Sequence, residues 1–177
     1  MDRLSGPDGA PGAVLDEAML QRDHGLTSES LAVLRALADI IVPAVDGYPA
    51  ASEMGAHLHT AESLELLQRG SSTLLTRLLN MYARAQRRDA RFLELDSAER
   101  ERALRALAEE DLDELRDLVE VLHAFTLNGY LAGWSASPAW APPPAWKAMG
   151  YHGPADGHLD LVGQGAIPPT AERADDA

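Results

Sequence analysis

The chain has 177 residues, with 28 acidic against 15 basic side chains, a formal net charge of −13 and no cysteine. That acidity, with the basic residues spread along the chain, argues against nucleic-acid and anionic-membrane partners. The missing thiols exclude disulfides, thiolate catalysis, cysteine-bound zinc and iron–sulfur ligation. Apolar residues make up 46% of the chain and are mostly Leu and Ala with few β-branched types, which predicts an all-α domain around a single core.

Residues 1–26 have no basic start followed by an apolar run, so they read as a flexible leader and not a signal peptide, and a cytoplasmic location is expected. The adjacent Arg87 and Arg88 sit mid-chain and do not form a twin-arginine export signal. No segment reaches the roughly 18 apolar residues that a membrane span needs.

Residues 27–132 read as a bundle of about five helices. Thr27 precedes an apolar stripe of Leu31, Leu34, Leu37, Ala38 and Ile41, and its hydroxyl can cap a first helix over Ser28 to Ile41. Pro43 disfavours helix at Val42 and stops it, and the turn runs through Asp46, Gly47 and Pro49. A second helix is predicted from Ala51 to Gln68, with Met54, Leu58, Leu64 and Leu67 inward and Gly70 as a left-handed C-cap. Ser71 or Ser72 caps a third, with Leu74, Leu75, Leu78, Leu79 and Tyr82 on one face and Arg77, Arg84, Arg87 and Arg88 on or near the other. Asp96 and Glu99 form a capping box that opens a fourth helix. Asp111 caps a fifth, which buries Leu112, Leu115, Leu118, Val119, Leu122 and Phe125 and runs to about Leu131 before Gly133. No fixed-period repeat occurs, which disfavours a solenoid.

From residue 133 to 177 the composition changes to an irregular Pro- and Trp-rich arm with a small, charged, disordered tail. Trp134, Trp140 and Trp146 recur every six residues, a spacing that one amphipathic helix cannot hide, and Pro142 to Pro144 favours polyproline II. Tryptophan carries large apolar area with a donor to satisfy, which suits an interface; the alternative is that the three rings fold back as a lid over the core. The candidate partner-binding residues are Tyr130, Trp134, Trp140, Pro143, Trp146, Tyr151 and His152.

Chemistry-bearing residues give weaker signals. On one helix His57 and His59 would lie about 200° apart and could not chelate one metal, whereas an extended segment could bring them together with Glu53 or Glu62. The simpler expectation is a solvated pair, and no metal is assigned. His123 reads as a hydrogen-bonded histidine at a helix edge, and the acidic run from Glu109 to Glu114 as a solvated face that favours the start of the last helix. No GxSxG elbow occurs, and the GQG at Gly163 to Gly165 is no dinucleotide fingerprint, so catalytic and cofactor-binding residues are assigned to none.

The order LRALADIIVPAVDG, a leucine helix, RFLELDSAER, FTLNGYLAG and WKAMGYHGP resembles the small-subunit family called gluconate 2-dehydrogenase subunit 3, over roughly Leu31 to Gly157. The carrying residues are Ala36 to Ala44, Phe92, Leu93, Leu95, Thr126, Gly129, Tyr130, Gly150, Tyr151, Gly153 and Pro154. The resemblance implies a non-catalytic, chaperone-like subunit in a hetero-oligomer, bound to and stabilising a large FAD-dependent dehydrogenase of the glucose-methanol-choline type that oxidises a sugar or sugar derivative. FAD is then expected in that partner and no cofactor on this chain, with a cytochrome or another electron acceptor as a further partner. Family members commonly carry a twin-arginine signal that this sequence lacks, which points to stabilisation more than to export. A second reading is a free-standing helical module that binds a small apolar ligand or a peptide.

Overall fold

The computed structural model describes residues 16–45, 47–132 and 146. Among them are six α-helices and one 3-10 turn, with no strand beyond a single bridge, as the Leu- and Ala-rich composition predicts. The first helix, α1 (Glu17–His24), lies inside the stretch read as a flexible leader. The Asp16 carboxylate accepts from the Met19 amide at 2.7 Å, and Gly25, at φ +70°, closes the other end. One residue ties this short helix down: Leu20 is fully buried and joins the main core.

Helix α2 (Ser28–Ile41) begins as expected, with the Thr27 hydroxyl accepting from the Ser30 amide at 3.0 Å, and ends before Pro43. Beyond it Val45 and Tyr48 exchange two backbone hydrogen bonds of 3.1 and 2.7 Å. The next helix starts later than the predicted Ala51. The Asp39 carboxylate receives both the amide and the hydroxyl of Ser52 at 2.9 Å, the chain makes a tight turn, and Gly55 at φ +71° introduces α3 (Ala56–Leu67).

Gly70 is left-handed as predicted, at φ +86°, but it stands at the N-cap of α4 (Ser71–Gln86) and not at the end of α3. Neither serine caps α4 there. The buried Glu65 of α3 does so, its two carboxylate oxygens accepting from the amides of Gly70 at 2.7 Å and Ser72 at 2.9 Å. After α4 a 3-10 turn (Phe92–Glu94) sinks Phe92 completely into the core. Asn80 accepts the Phe92 amide at 2.8 Å, and Arg100 donates to the carbonyls of Phe92 and Leu93 at 3.1 and 2.7 Å. Helix α5 (Ser97–Ala108) opens on the predicted capping box, with reciprocal bonds of 2.8 and 2.9 Å between Asp96 and Glu99. Helix α6 (Asp113–Ala132) starts after Leu112, two residues beyond the predicted cap Asp111.

The main core joins Leu31, Leu34 and Leu37 of α2 to Leu75 and Leu79 of α4, Leu104 and Leu107 of α5, and Leu122 of α6, around Phe92. A smaller cluster gathers Ala38, Ala51, Met54, Ala56 and Tyr130. Three leucines read as inward are exposed: Leu67 by 68%, Leu74 by 65% and Leu112 by 55%. Leu58, Leu64 and Leu67 lie on a spacing of three that drifts by about 60° per step, which leaves Leu67 half a turn from Leu58. On α4 the row Leu75, Leu79 and Tyr82 occupies the core side, so Leu74 turns outward. Leu112 precedes the first turn of α6.

Candidate partner-binding surface

The residues best equipped for chemistry are built into the scaffold. His57 and His59 lie on the helix α3, so the extended arrangement that might bring them together does not form. The expected solvated pair does not form either. His57 is only 3% exposed, because α1 and α2 close over this side of α3. Its Nε2 lies 3.4 Å from Arg35 Nη2 and 3.7 Å from Glu17 Oε1, while Arg35 and Glu17 form an ion pair beside it. Burial first, and then the Arg35 guanidinium, hold His57 below the ordinary histidine range, against the opposing pull of Glu17. The neutral ring can accept from Arg35 at Nε2, whereas an imidazolium could not. Its Nδ1 is buried with no hydrogen-bond partner among the described residues.

His59 serves the seam between α3 and α6. Its ring meets Phe125 edge-on with centroids 6.5 Å apart, and burial lowers its pKa as well. A Cβ added to Gly129 would stand 2.8 Å from His59 Cβ and 3.0 Å from Ala56 Cα, so glycine is what lets the two helices meet this closely. About one turn along α3 from Ala56, the buried hydroxyls of Thr60 and Thr126 lie 3.3 Å apart across the same seam. His123 bonds its own helix, Nδ1 to the Val119 carbonyl at 2.8 Å, as its edge position predicts. Glu109 to Glu114 all face solvent. Among the described residues no group of three or more His and acidic side chains could hold a metal ion.

Of the residues expected to bind a partner, Trp134, Trp140, Pro143, Tyr151 and His152 lie outside the described residues. Trp146 is helical and half-buried. Tyr130 is a core residue, 5% exposed, with burial raising its phenol pKa and Tyr48 and Glu53 nearby. Its ring packs inside the chain, where the small residues Ala38, Ala51 and Ala56 leave room for it. The exposed large apolar residues fall elsewhere: Val45 and Tyr48 after α2, Leu66 and Leu67 at the end of α3, Leu74 and Met81 on α4, and Leu127 and Leu131 on α6. Sequence reasoning passed over most of these, since a leucine in a helix reads as inward until its row is known. Several such residues close together mark a surface made to be covered.

A cleft of about 230 Å³ opens between α2, α5 and α6, lined by Ile40, Ile41, Leu104 and Val119 with Glu101, Arg105 and His123 among its polar groups. No helix among the described residues is long and apolar enough to cross a membrane.

Residues 28–153 match the family model described as gluconate 2-dehydrogenase subunit 3. No match was found among curated proteins or among solved structures. The matched span takes in α2 to α6 and, except for Pro154 just past its end, the residues on which the resemblance rested. Phe92 and Leu95 are core, Thr126 and Gly129 make the α3–α6 seam, and Tyr130 fills the second cluster.

Proposed function

The chain belongs to the gluconate 2-dehydrogenase subunit 3 family, and from that premise we propose that it is a non-catalytic subunit that binds and stabilises the FAD-dependent catalytic subunit of a sugar or sugar-derivative dehydrogenase. The family match over residues 28–153 carries this reading. The family's name is that of one subunit of a dehydrogenase, and the partner of glucose-methanol-choline type supplies the flavin and the reacting groups. Two observations support placing FAD in the partner. The N-termini of α1, α2, α4 and α5, the usual cradles for a pyrophosphate, are each taken by an oxygen of this chain's own Asp16, Thr27, Glu65 or Asp96, and that of α3, which has no side-chain cap, is covered where Gly129 of α6 packs on Ala56. His57, His59 and His123 are committed to Arg35, Phe125 and a helix carbonyl.

What this chain contributes is binding free energy. A subunit that binds the folded catalytic chain and not its unfolded form stabilises it in proportion to occupancy, about 2.7 kcal/mol at a concentration one hundred times the Kd. Co-expression tests this. The flavoprotein should co-purify with this chain, show the bound-flavin absorbance and melt at a higher temperature than it does alone. A chain that captures no flavoprotein, or that oxidises a sugar unaided, refutes the reading.

The cleft at Ile40 and Val119 is what a ligand-binding module would use. At about 230 Å³ it falls below the 300–1,000 Å³ usual for small-molecule pockets, so the subunit reading is preferred. A ligand-dependent melting shift of the isolated chain would favour the module instead.

A further inference from the structure

In a chain of net charge −13, residues 66–91 carry six arginines and one acidic residue, Asp89. The basic residues are thus not evenly spread. They gather on α4 and its two ends. Arg87, Arg88 and Arg91 are paired with Glu99, Asp89 and Glu29. Arg69, Arg77 and Arg84 are exposed and make no ion pair or hydrogen bond with any described residue.

The free arginines sit among the misplaced leucines. Along α4 the exposed long side chains are Leu74, Arg77, Met81 and Arg84, at steps of three, four and three, with the small Ala85 beside them. At 100° per residue they fall within a sector of about 80°, so they form one row. Leu74 is 65% and Met81 57% exposed. Arg69 precedes the row at the turn into α4, next to Leu66 and Leu67, which are 72% and 68% exposed. Apolar and cationic side chains thus alternate along one outward face. Arg and Met are enriched in the cores of protein interfaces, and an unpaired guanidinium there is poised to take a carboxylate in bidentate fashion.

We infer that the outward row of α4, Leu74, Arg77, Met81 and Arg84 with Leu66, Leu67 and Arg69 at its head, docks an acidic, apolar-studded face of the flavin-bearing dehydrogenase subunit. The inference rests on the proposed function and specifies the surface by which it works. The charge chooses the occupant. A second copy of this chain brings another −13 to the contact, and a polyanion meets only three free cations with bulky apolar residues between them. A folded partner can instead present carboxylates at the spacing of Arg77 and Arg84, about 10.5 Å for seven residues, flanking a hollow for Met81.

The test uses the full-length chain and, as probe, the flavoprotein that the tagged wild-type chain isolates from its own cells. Binding of the purified flavoprotein is titrated against wild type, the pair Arg77→Glu/Arg84→Glu, the pair Leu74→Ser/Met81→Ser, and Arg116→Glu on α6 as control. All four should keep the same helical circular dichroism. Each α4 pair is expected to weaken binding about 100-fold. The charge reversal alone should also flatten the salt dependence, and the control should bind as wild type does. Unchanged affinity in both α4 pairs overturns this surface while the subunit reading stands. A wild-type chain that holds no flavoprotein brings down both. Binding of wild type to an oligonucleotide or to phosphatidylglycerol vesicles, abolished by the charge reversal, assigns the row to a polyanion and overturns the inference.

Discussion

The α3–α6 seam and the outward row of α4 treat hydropathy in opposite ways. At the seam, alanine, glycine and two threonines are buried, and they are buried because they are small: Gly129 brings α6 against the backbone of Ala56, and Thr60 and Thr126 turn their hydroxyls to each other. On α4, Leu74 and Met81 are among the large apolar residues left in solvent. The contrast teaches that inside this bundle the depth of a residue follows how closely two helices can approach, whereas outside it the distribution of large side chains follows what the surface is for.

The strongest way to break the comparison is to thicken the seam. Gly129→Val places its branches against the Ala56 backbone, which cannot rotate away, so the destabilisation should exceed about 3 kcal/mol, the upper end of ordinary overpacking. Urea unfolding, or loss of soluble protein, reads this. Next comes a matched pair on one helix. Leu79→Ala, on the fully buried inward row, should cost about 3 kcal/mol. Leu74→Ala, five residues earlier and outward, should change stability by less than about 0.5 kcal/mol. Equal effects in denaturant melts would show that the two rows are not distinct.

Much of this fold was legible because caps are local. Thr27, the Asp96–Glu99 box and the stop at Pro43 each act within a few residues, and each appears in the structure where the sequence put it. Helix α1 was missed although Asp16 and Gly25 punctuate it, because eight residues with one core leucine give no periodicity to read. What the sequence could not yield is long-range. Leu74 and Leu75 are indistinguishable by type, and only the packing of α2 and α5 against α4 decides which one is covered. His57 looked solvated because Arg35 and Glu17, which close over it, lie 22 and 40 residues away.

Glu65 is another such case, a cap that reaches across a turn from the preceding helix. Glu65→Ala leaves the Gly70 and Ser72 amides without their acceptor, and a loss of about 2 kcal/mol is expected in urea unfolding. A value near zero would mean that water replaces the carboxylate and that α4 starts independently of α3. The smallest effect comes from pH. His57 has its folded pKa lowered, so below its unfolded value of 6.5 the unfolded chain takes the proton first. Stability should therefore be flat above that pH and fall as pH drops from 6.5 toward the lowered value. The fall should be smaller than the loss from any destabilising substitution above. His57→Gln should reduce the slope in melts run between neutral and mildly acid buffer, leaving the share of His59, whose pKa burial also lowers.

The matched family span begins at residue 28, yet Leu20 fills a socket against the residues that follow it. The evolutionary edge of this protein and its physical edge therefore fall in different places. A version trimmed to the homologous stretch would lose both Leu20 and Leu26 from the core and uncover the ring of His57. Such a fragment would gather into aggregates through that wound, and its poor behaviour would be mistaken for the lack of a partner subunit.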